Sequence, residues 1–281
     1  MATSKEIRHR IRSATNTKQI IKAMELVSVI KMQKAVAATL ASRPYTDAAD
    51  GIIKEISSQI SAIDHIYFNP GKKGHKLVIL ITTDRGLCGN LNIKVIKKLL
   101  DDFDTKNTDV IAVGKKGRDL TLQFGINLIA EFFGATDNPG FKDEYPILKL
   151  VEKEFKTGKY ENISVIYPHY ISTLSQEAKS LQLLPLITTH GGTINDSTLY
   201  EPDKTEVLNE LFPRVLETIL WQCLLETIAS EHSARMVTMK NANENAEDLI
   251  DDLTLSYNQT RQANITRELA EISAGKMTLE E

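Results

Sequence analysis

Apolar positions near the two ends of the chain recur at helical spacing, and nothing interrupts them. Ile7, Ile11, Ala14, Ile21, Met24, Val27, Ala35 and Ala38 follow one another at steps of three, four or seven residues or more. That spacing predicts one face of a helix. Residues 1–43 contain neither Gly nor Pro, and Pro44 is the first of either. Residues 214–274 are free of both as well, between Pro213 and Gly275. In that second stretch Leu211, Val215, Leu225, Ala229, Met236, Met239, Ala246, Ile250, Leu253 and Tyr257 lie on one alternating three-four ladder. Such a ladder is the a/d seam of a coiled coil. Its polar rungs are Thr218, Gln222, His232 and Asn243. An ordinary core-facing helix averages about 11–12 residues, so these lengths favour a coiled coil. At about 1.5 Å per residue, 214–274 spans on the order of 90 Å and 5–43 roughly 60 Å. An antiparallel pair of such helices leaves an overhang of roughly 30 Å that needs a partner elsewhere.

The middle of the chain has a different texture. Leu77-Val-Ile-Leu-Ile-Thr82 is a continuous apolar, β-branched run, which predicts a buried strand. The turn Asp84-Arg-Gly-Leu-Cys-Gly89 follows, and Asn92 is placed to cap a helix over 93–103. Asp109-Val-Ile-Ala-Val113 and Asn162-Ile-Ser-Val-Ile-Tyr167 predict two further strands. Between them lie a short helix, the apolar stretch Leu128-Ile-Ala-Glu-Phe-Phe133 and a helix over 145–157. Leu181-Gln-Leu-Leu-Pro-Leu186 predicts a fourth strand, at an edge because of Pro185. Strands alternating with helices imply a mainly parallel sheet covered on its faces. The expected organisation is therefore α/β plus a long α-helical antiparallel coiled coil. An N-terminal helix (1–60) and a C-terminal helix (205–275) flank a central Rossmann-like sheet domain (75–190).

Charge adds a reason for the two ends to pair. Residues 1–34 carry eight Lys/Arg against two Glu, and residues 206–252 carry ten Asp/Glu against three Lys/Arg. Opposite signs on facing helices favour one orientation and disfavour self-pairing. The 281-residue chain has a net charge of -3, so no overall field marks it as a nucleic-acid binder. No apolar run reaches the length that spans a bilayer, so membrane association is expected to go through another protein. The basic first residues lack the apolar segment of a signal peptide.

Little in the central domain supplies chemistry. The turn at 84–89 has two glycines three apart but neither the dinucleotide pattern nor the phosphate loop. Gly114-Lys-Lys-Gly117 follows a strand and has the charge to attract phosphate; with no following Ser/Thr it is expected to be a basic hairpin or loop. Cys88 is expected to pack behind the turn rather than act as a nucleophile. Cys88 and Cys223 match no disulfide or metal pattern, and the six histidines show no pairing or ligand spacing. No catalytic residue, cofactor site or metal site is expected. The competing reading is a freestanding α/β nucleotide-binding enzyme tethered by a coiled coil, with Asp84 and Arg85 as hidden catalytic residues. A scaffold coiled coil with an unrelated cargo domain is a third.

Three segments, in order, carry a resemblance. Lys5-Glu-Ile-Arg-His-Arg-Ile-Arg-Ser13 with Asn16-Thr-Lys-Gln-Ile20 and Lys22-Ala-Met-Glu-Leu-Val27 is the first; Thr83-Asp-Arg-Gly-Leu-Cys-Gly-Asn-Leu-Asn92 is the second. The third comprises Ser230-Glu-His-Ser-Ala-Arg-Met-Val-Thr-Met-Lys-Asn-Ala242 and residues 251–272. Together they resemble the gamma subunit of bacterial-type F-type ATP synthases over essentially the whole chain. The resemblance implies a non-catalytic central-stalk rotor. Its partners would be the ATP synthase alpha and beta subunits, the epsilon subunit and the membrane c-ring. It would sit peripherally on the cytoplasmic side of a bacterial inner membrane. Carried over by matching position, Met24, Arg261, Gln262 and Thr266 are expected to contact the beta subunit, and Tyr200 the rotor ring. Asn90 departs from the family pattern, standing where many members have a second glycine.

Overall fold

A computed structural model describes residues 4–58, 66–68, 74–135, 144–186, 201 and 204–279. Its elements, in chain order, are α1 (Ser4–Ser58), β1 (Lys76–Ile81), α2 (Leu91–Asp102), β2 (Thr108–Val113) and α3 (Lys115–Gln123). There follow β3 (Asn127–Phe132), α4 (Tyr145–Lys156), β4 (Asn162–Tyr170), β5 (Gln176–Leu184) and α5 (Lys204–Leu279). Contacts divide the chain into two compact units, Met1–Val27 with Met236–Glu281, and Ser28–Arg235.

Neither proline bounds its helix. Pro44 lies inside α1, which runs on to Ser58, and Pro213 lies inside α5, which starts at Lys204. A proline inside a helix costs about 3 kcal/mol because it cannot donate to the preceding turn. Burial of the surrounding residues offsets that cost. Beyond Pro44, Ala49 and Ile53 are in the core; around Pro213, Leu208, Phe212, Val215 and Leu216 are buried. Tertiary packing here outweighs a local breaker.

In the first unit the two helices run antiparallel. Ser4 Oγ accepts from Asn264 Nδ2 at 3.1 Å, and Lys18 pairs with Glu247 at 3.1 Å, so the chain order is opposite on the two helices. On α5 the less exposed positions include Met236, Met239, Asn243, Ala246, Ile250, Leu253 and Tyr257 of the ladder read from the sequence, with Ala242, Thr260 and Asn264 beside them. On α1 Ile7, Ile11, Ala14, Ile21 and Met24 also turn inward. Val27 does not: it is 55% exposed while Ser28 is buried. Further along, in the second unit, Ala38 is exposed and Thr39 is fully buried. The covered face of α1 keeps a strict heptad rhythm, whereas the apolar residues alone drift off it. Polar Lys18, Ser28 and Thr39 occupy the rungs that an apolar count skips.

The second unit is built on a five-stranded sheet of order β3-β2-β1-β4-β5. β1, β2, β3 and β4 pair in parallel, and β5 joins β4 antiparallel at the edge. Ile79, Ile81, Ile111 and Val165 face α4 and the stretch of α5 from Leu208 to Leu224. Val78, Leu80, Val110 and Ile166 face α2 through Val95, Ile96 and Leu99. Both faces are covered, which is why β1 and β2 are continuous in apolar residues past their first positions, and β4 is interrupted at the buried Ser164. The stretch Leu128–Phe133, left without an element by the sequence, forms the edge strand β3; its half-exposed positions dilute the strand signal. The last strand comes out at the edge as expected, spanning Gln176–Leu184.

The strand starts are tied together by Asp109. Its carboxylate accepts from Lys159 Nζ at 2.5 Å, Tyr160 Oη at 2.7 Å and Asn127 Nδ2 at 2.8 Å. Burial alone would raise its pKa; these bonds outweigh burial and hold it down at about 2. A depressed carboxylate contributes stability above its unfolded pKa near 4 and loses it as pH falls towards 2. Asp109→Asn is therefore expected to cost about 2 kcal/mol at neutral pH and to flatten the loss of stability between about pH 4 and 2. Urea titrations of both proteins across that pH range check this.

Candidate functional site

The sheet carries β2 and β3 on one side of β1 and β4 on the other, so its topological switch lies between β1 and β4. In open parallel sheets, ligands bind in the crevice outside the strand ends at such a switch. The residues that fill that place therefore decide what the domain can do.

Beyond β1 the chain makes a tight turn. Asn92 was expected to cap α2, but the cap position is Asn90, which makes no side-chain cap bond. Asn92 instead reaches back across the turn. Its Oδ1 accepts from the Thr83 amide at 3.1 Å, and its Nδ2 donates to Thr83 Oγ1 at 2.8 Å and to Cys88 Sγ at 3.4 Å. Thr83 Oγ1 in turn donates to the Arg85 carbonyl at 2.6 Å. Leu87 is held at φ 65, an uncommon backbone for a leucine, and its side chain is 57% exposed. Cys88 packs behind the turn as expected, 2% exposed. Burial, reinforced by the Glu231 carboxylate, pushes its thiol pKa up despite the Thr83 bond and the nearby Arg235. A protonated buried thiol is a poor nucleophile.

Gly114-Lys-Lys-Gly117 is not a hairpin. Gly114 is the cap of α3, at φ 99, and Lys115 opens the helix. Exposed amides at a helix start attract anions, but here the chain supplies its own acceptors. The Lys115 amide donates to Asp84 Oδ1 at 3.0 Å, Lys116 to the Thr83 carbonyl at 3.1 Å and Gly117 to Thr82 Oγ1 at 2.7 Å. The second Asp84 oxygen accepts from the Gly134 amide at 2.9 Å. Asp84 thus stands where a phosphate would sit.

Helix α5 fills the crevice itself. Arg235 donates to the Gly86 carbonyl at 3.2 and 3.3 Å and to Glu231 at 2.6 Å. Ser230 Oγ donates to the Pro168 carbonyl of β4 at 3.0 Å. His169 of β4 meets the Glu226 carboxylate, which Gln222 and Arg43 also approach. The polar residues of α5 from 226 to 235 are nearly all buried, as a helix inserted between a sheet and its own turn requires.

The helical ends in the other unit present the opposite character. Ile20, Leu26 and Val27 of α1 are more than half exposed, as are Leu249, Leu255, Leu269 and Ile272 of α5. Arg261, Gln262 and Thr266 are exposed on α5, with Thr266 Oγ1 bonded to the Gln262 carbonyl at 3.0 Å. Met24 is partly covered on α1. Tyr200 lies outside the described residues.

The model of the ATP synthase family described as "ATP synthase" matches residues 3–279, and full-length relatives at 36–42% identity are named ATP synthase gamma chain. The chain belongs to the ATP synthase gamma-chain family. The gamma chain of a Roseiflexus species (strain RS-1) is 42% identical over 291 residues and covers 100% of both chains. That of Alkaliphilus metalliredigens is 37% identical and covers 98% of each. Among solved structures, a chain of the Euglena gracilis mitochondrial ATP synthase (OSCP/F1/c-ring, rotational state 3) superposes with a TM-score of 0.71 at 21% identity. It covers 98% of this chain and 93% of its own. A chain of the rotor of the same synthase gives 0.68 at 20% identity, covering 93% and 98%. These likenesses bear on the fold: terminal helices flanking a mixed sheet.

The gamma-family signature at 83–92 thereby gains a physical reading. Its Thr and Asn bond backbone of the turn, its Asp accepts from the Lys115 and Gly134 amides, and its Gly86 carbonyl receives Arg235. Sequence reasoning missed the Asp84 and Arg235 roles. The partner of Arg235 lies 149 residues away, and no local spacing announces it.

Proposed function

We propose that this chain is the central-stalk rotor of a bacterial F-type ATP synthase. It couples proton flow through the membrane c-ring to ATP synthesis or hydrolysis at beta-subunit sites, and catalyses nothing itself. Its partners in this reading are the alpha and beta subunits, gripping the helical ends, and the epsilon subunit and c-ring outside them. Met24, Arg261, Gln262 and Thr266 contact the beta subunit, and Tyr200 the ring. The chain is peripheral to the inner membrane on its cytoplasmic side; among the described residues no helix is long and apolar enough to cross a membrane.

The observation that carries this reading is the contrast along α5. From Val215 to Arg235 none of its residues is exposed; past Tyr257 it exposes Ile265, Leu269 and Ile272. Apolar side chains left in water on a paired helix mark a surface for other chains. The self-filled crevice supports the absence of catalysis, because a nucleotide would have to displace Asp84 and α5 together.

Reconstitution tests the reading. Alpha and beta chains of a gamma-family relative's synthase are expected to form an active ATPase with this chain and to lose most of that activity without it. Saturable nucleotide binding or turnover by this chain alone would favour the tethered enzyme instead.

A further inference from the structure

We infer that Glu226 is a positioning residue that locks the sheet to both long helices, so that torque passes between them. The inference rests on the rotor reading and names where in the chain the load is carried. Three elements converge on this carboxylate. One oxygen receives Gln222 Nε2 of the same helix at 3.1 Å and Arg43 Nη2 of α1 at 3.5 Å. The other meets His169 Nδ1 of β4. Glu226 itself is 4% exposed. Arg43 continues the network into the sheet, donating to the Tyr170 carbonyl at 2.9 Å.

The apolar contacts at the same level are poor at resisting rotation. The cluster there consists of Ala35, Tyr170, Ile228 and Ala229, with Val36 beside it. Two of its members are alanines, which offer no long side chain to interdigitate. Apolar contacts are weak singly and have no direction, so alanines oppose a sideways displacement less than long interdigitated side chains would. Directional bonds do not slide: they weaken steeply as angle and distance change. At this level those bonds are the Glu226 network, Ser230 to Pro168 and Thr39 Oγ1 to the Leu225 carbonyl at 3.1 Å. Of these three, the Glu226 network is the one that touches all three elements. A buried ion pair adds little net stability and much geometric definition, which is the property a clamp needs.

The test uses the assembled membrane enzyme. Glu226→Gln keeps size and one acceptor oxygen but loses the charge; Glu226→Asp keeps the charge. His169→Gln and Arg43→Gln each remove one arm without touching Glu226. The readouts are subunit assembly, ATP hydrolysis and ATP-driven proton pumping. The expected result for Glu226→Gln is retained assembly and hydrolysis with a loss of protons pumped per ATP. Glu226→Asp should recover pumping, and each arm variant should lose part of it. A parent-like pumping ratio in Glu226→Gln and both arm variants would overturn the clamp while leaving the rotor reading intact. So would pumping that falls only in step with assembly across the set. A parent enzyme that assembles but never pumps would instead overturn the rotor reading.

Discussion

Arg235→Met is expected to destabilise the sheet-bearing unit by about 3–5 kcal/mol, the usual cost of removing one partner from a buried ion pair. Arg235 is 7% exposed and Glu231, its partner at 2.6 Å, is 3% exposed. The methionine fills much of the same volume but leaves the Glu231 carboxylate buried without its cation. The Gly86 carbonyl also loses its donor. Adding Glu231→Gln should recover a substantial part of the loss, because the orphaned charge goes with it. Denaturant titration of the single and double variants measures this cycle. Faster amide exchange across 83–92 in Arg235→Met would locate the effect at the turn. Equal stability of Arg235→Met and parent would contradict the account of the filled crevice.

A comparable loss is expected from Gly114→Ala, for a different reason. A Cβ on Gly114 would lie 2.4 Å from the Thr82 carbonyl oxygen, and the backbone there has φ +99. That conformation costs a non-glycine residue about 1–3 kcal/mol before any clash. The clash is with backbone just past β1, held in place because the Thr82 amide donates to the Val113 carbonyl of β2 at 2.8 Å. Gly117→Ala differs: its Cβ meets the Thr82 side chain, at 2.6 Å from Oγ1. The Gly114 Cβ also lies 2.9 Å from Thr82 Oγ1, but its nearer clash and its φ belong to the backbone, so Thr82→Ala should relieve much of the Gly117→Ala defect and little of the Gly114→Ala defect. Thermal or denaturant unfolding of the four variants separates backbone strain from side-chain crowding. Equal relief of both defects by Thr82→Ala would show that the two glycines serve the same end.

What the sequence revealed follows from how local each signal is. β1, β2 and β4 are buried on both faces, so their apolar runs stand out. Past Met239 the ladder on α5 is legible for the opposite reason: one face is covered and the rest is wet. On α1 an apolar count placed Val27 and Ala38 inward, but the covered rungs are Ser28 and Thr39. Small polar residues fit a close helix pair, and Thr39 satisfies its hydroxyl on the Ala35 and Leu225 carbonyls. Pro44 and Pro213 bound the Gly- and Pro-free stretches of the sequence, yet both lie inside their helices, as the expected bounds of 1–60 and 205–275 allow.

The candidate site was less legible. Asp84 and Asn92 have side chains able to cap, coordinate or catalyse, and only the fold shows which backbone amides they satisfy. Glu226, His169 and Arg43 are scattered over 183 residues of sequence, so no motif joins them. The signature at 83–92 pointed to its family without revealing its physics, which depends on a helix nearly 150 residues further on.

The central claim is that the chain turns as a shaft inside partners that grip its helical ends. Rotation of a probe fixed to the sheet-bearing unit tests it most directly. Lys97 is exposed on α2 and offers an attachment point after replacement by cysteine. With immobilised alpha and beta chains and ATP, the account predicts sustained rotation of the probe in one direction. A probe that stays still while the bound complex hydrolyses ATP would contradict it.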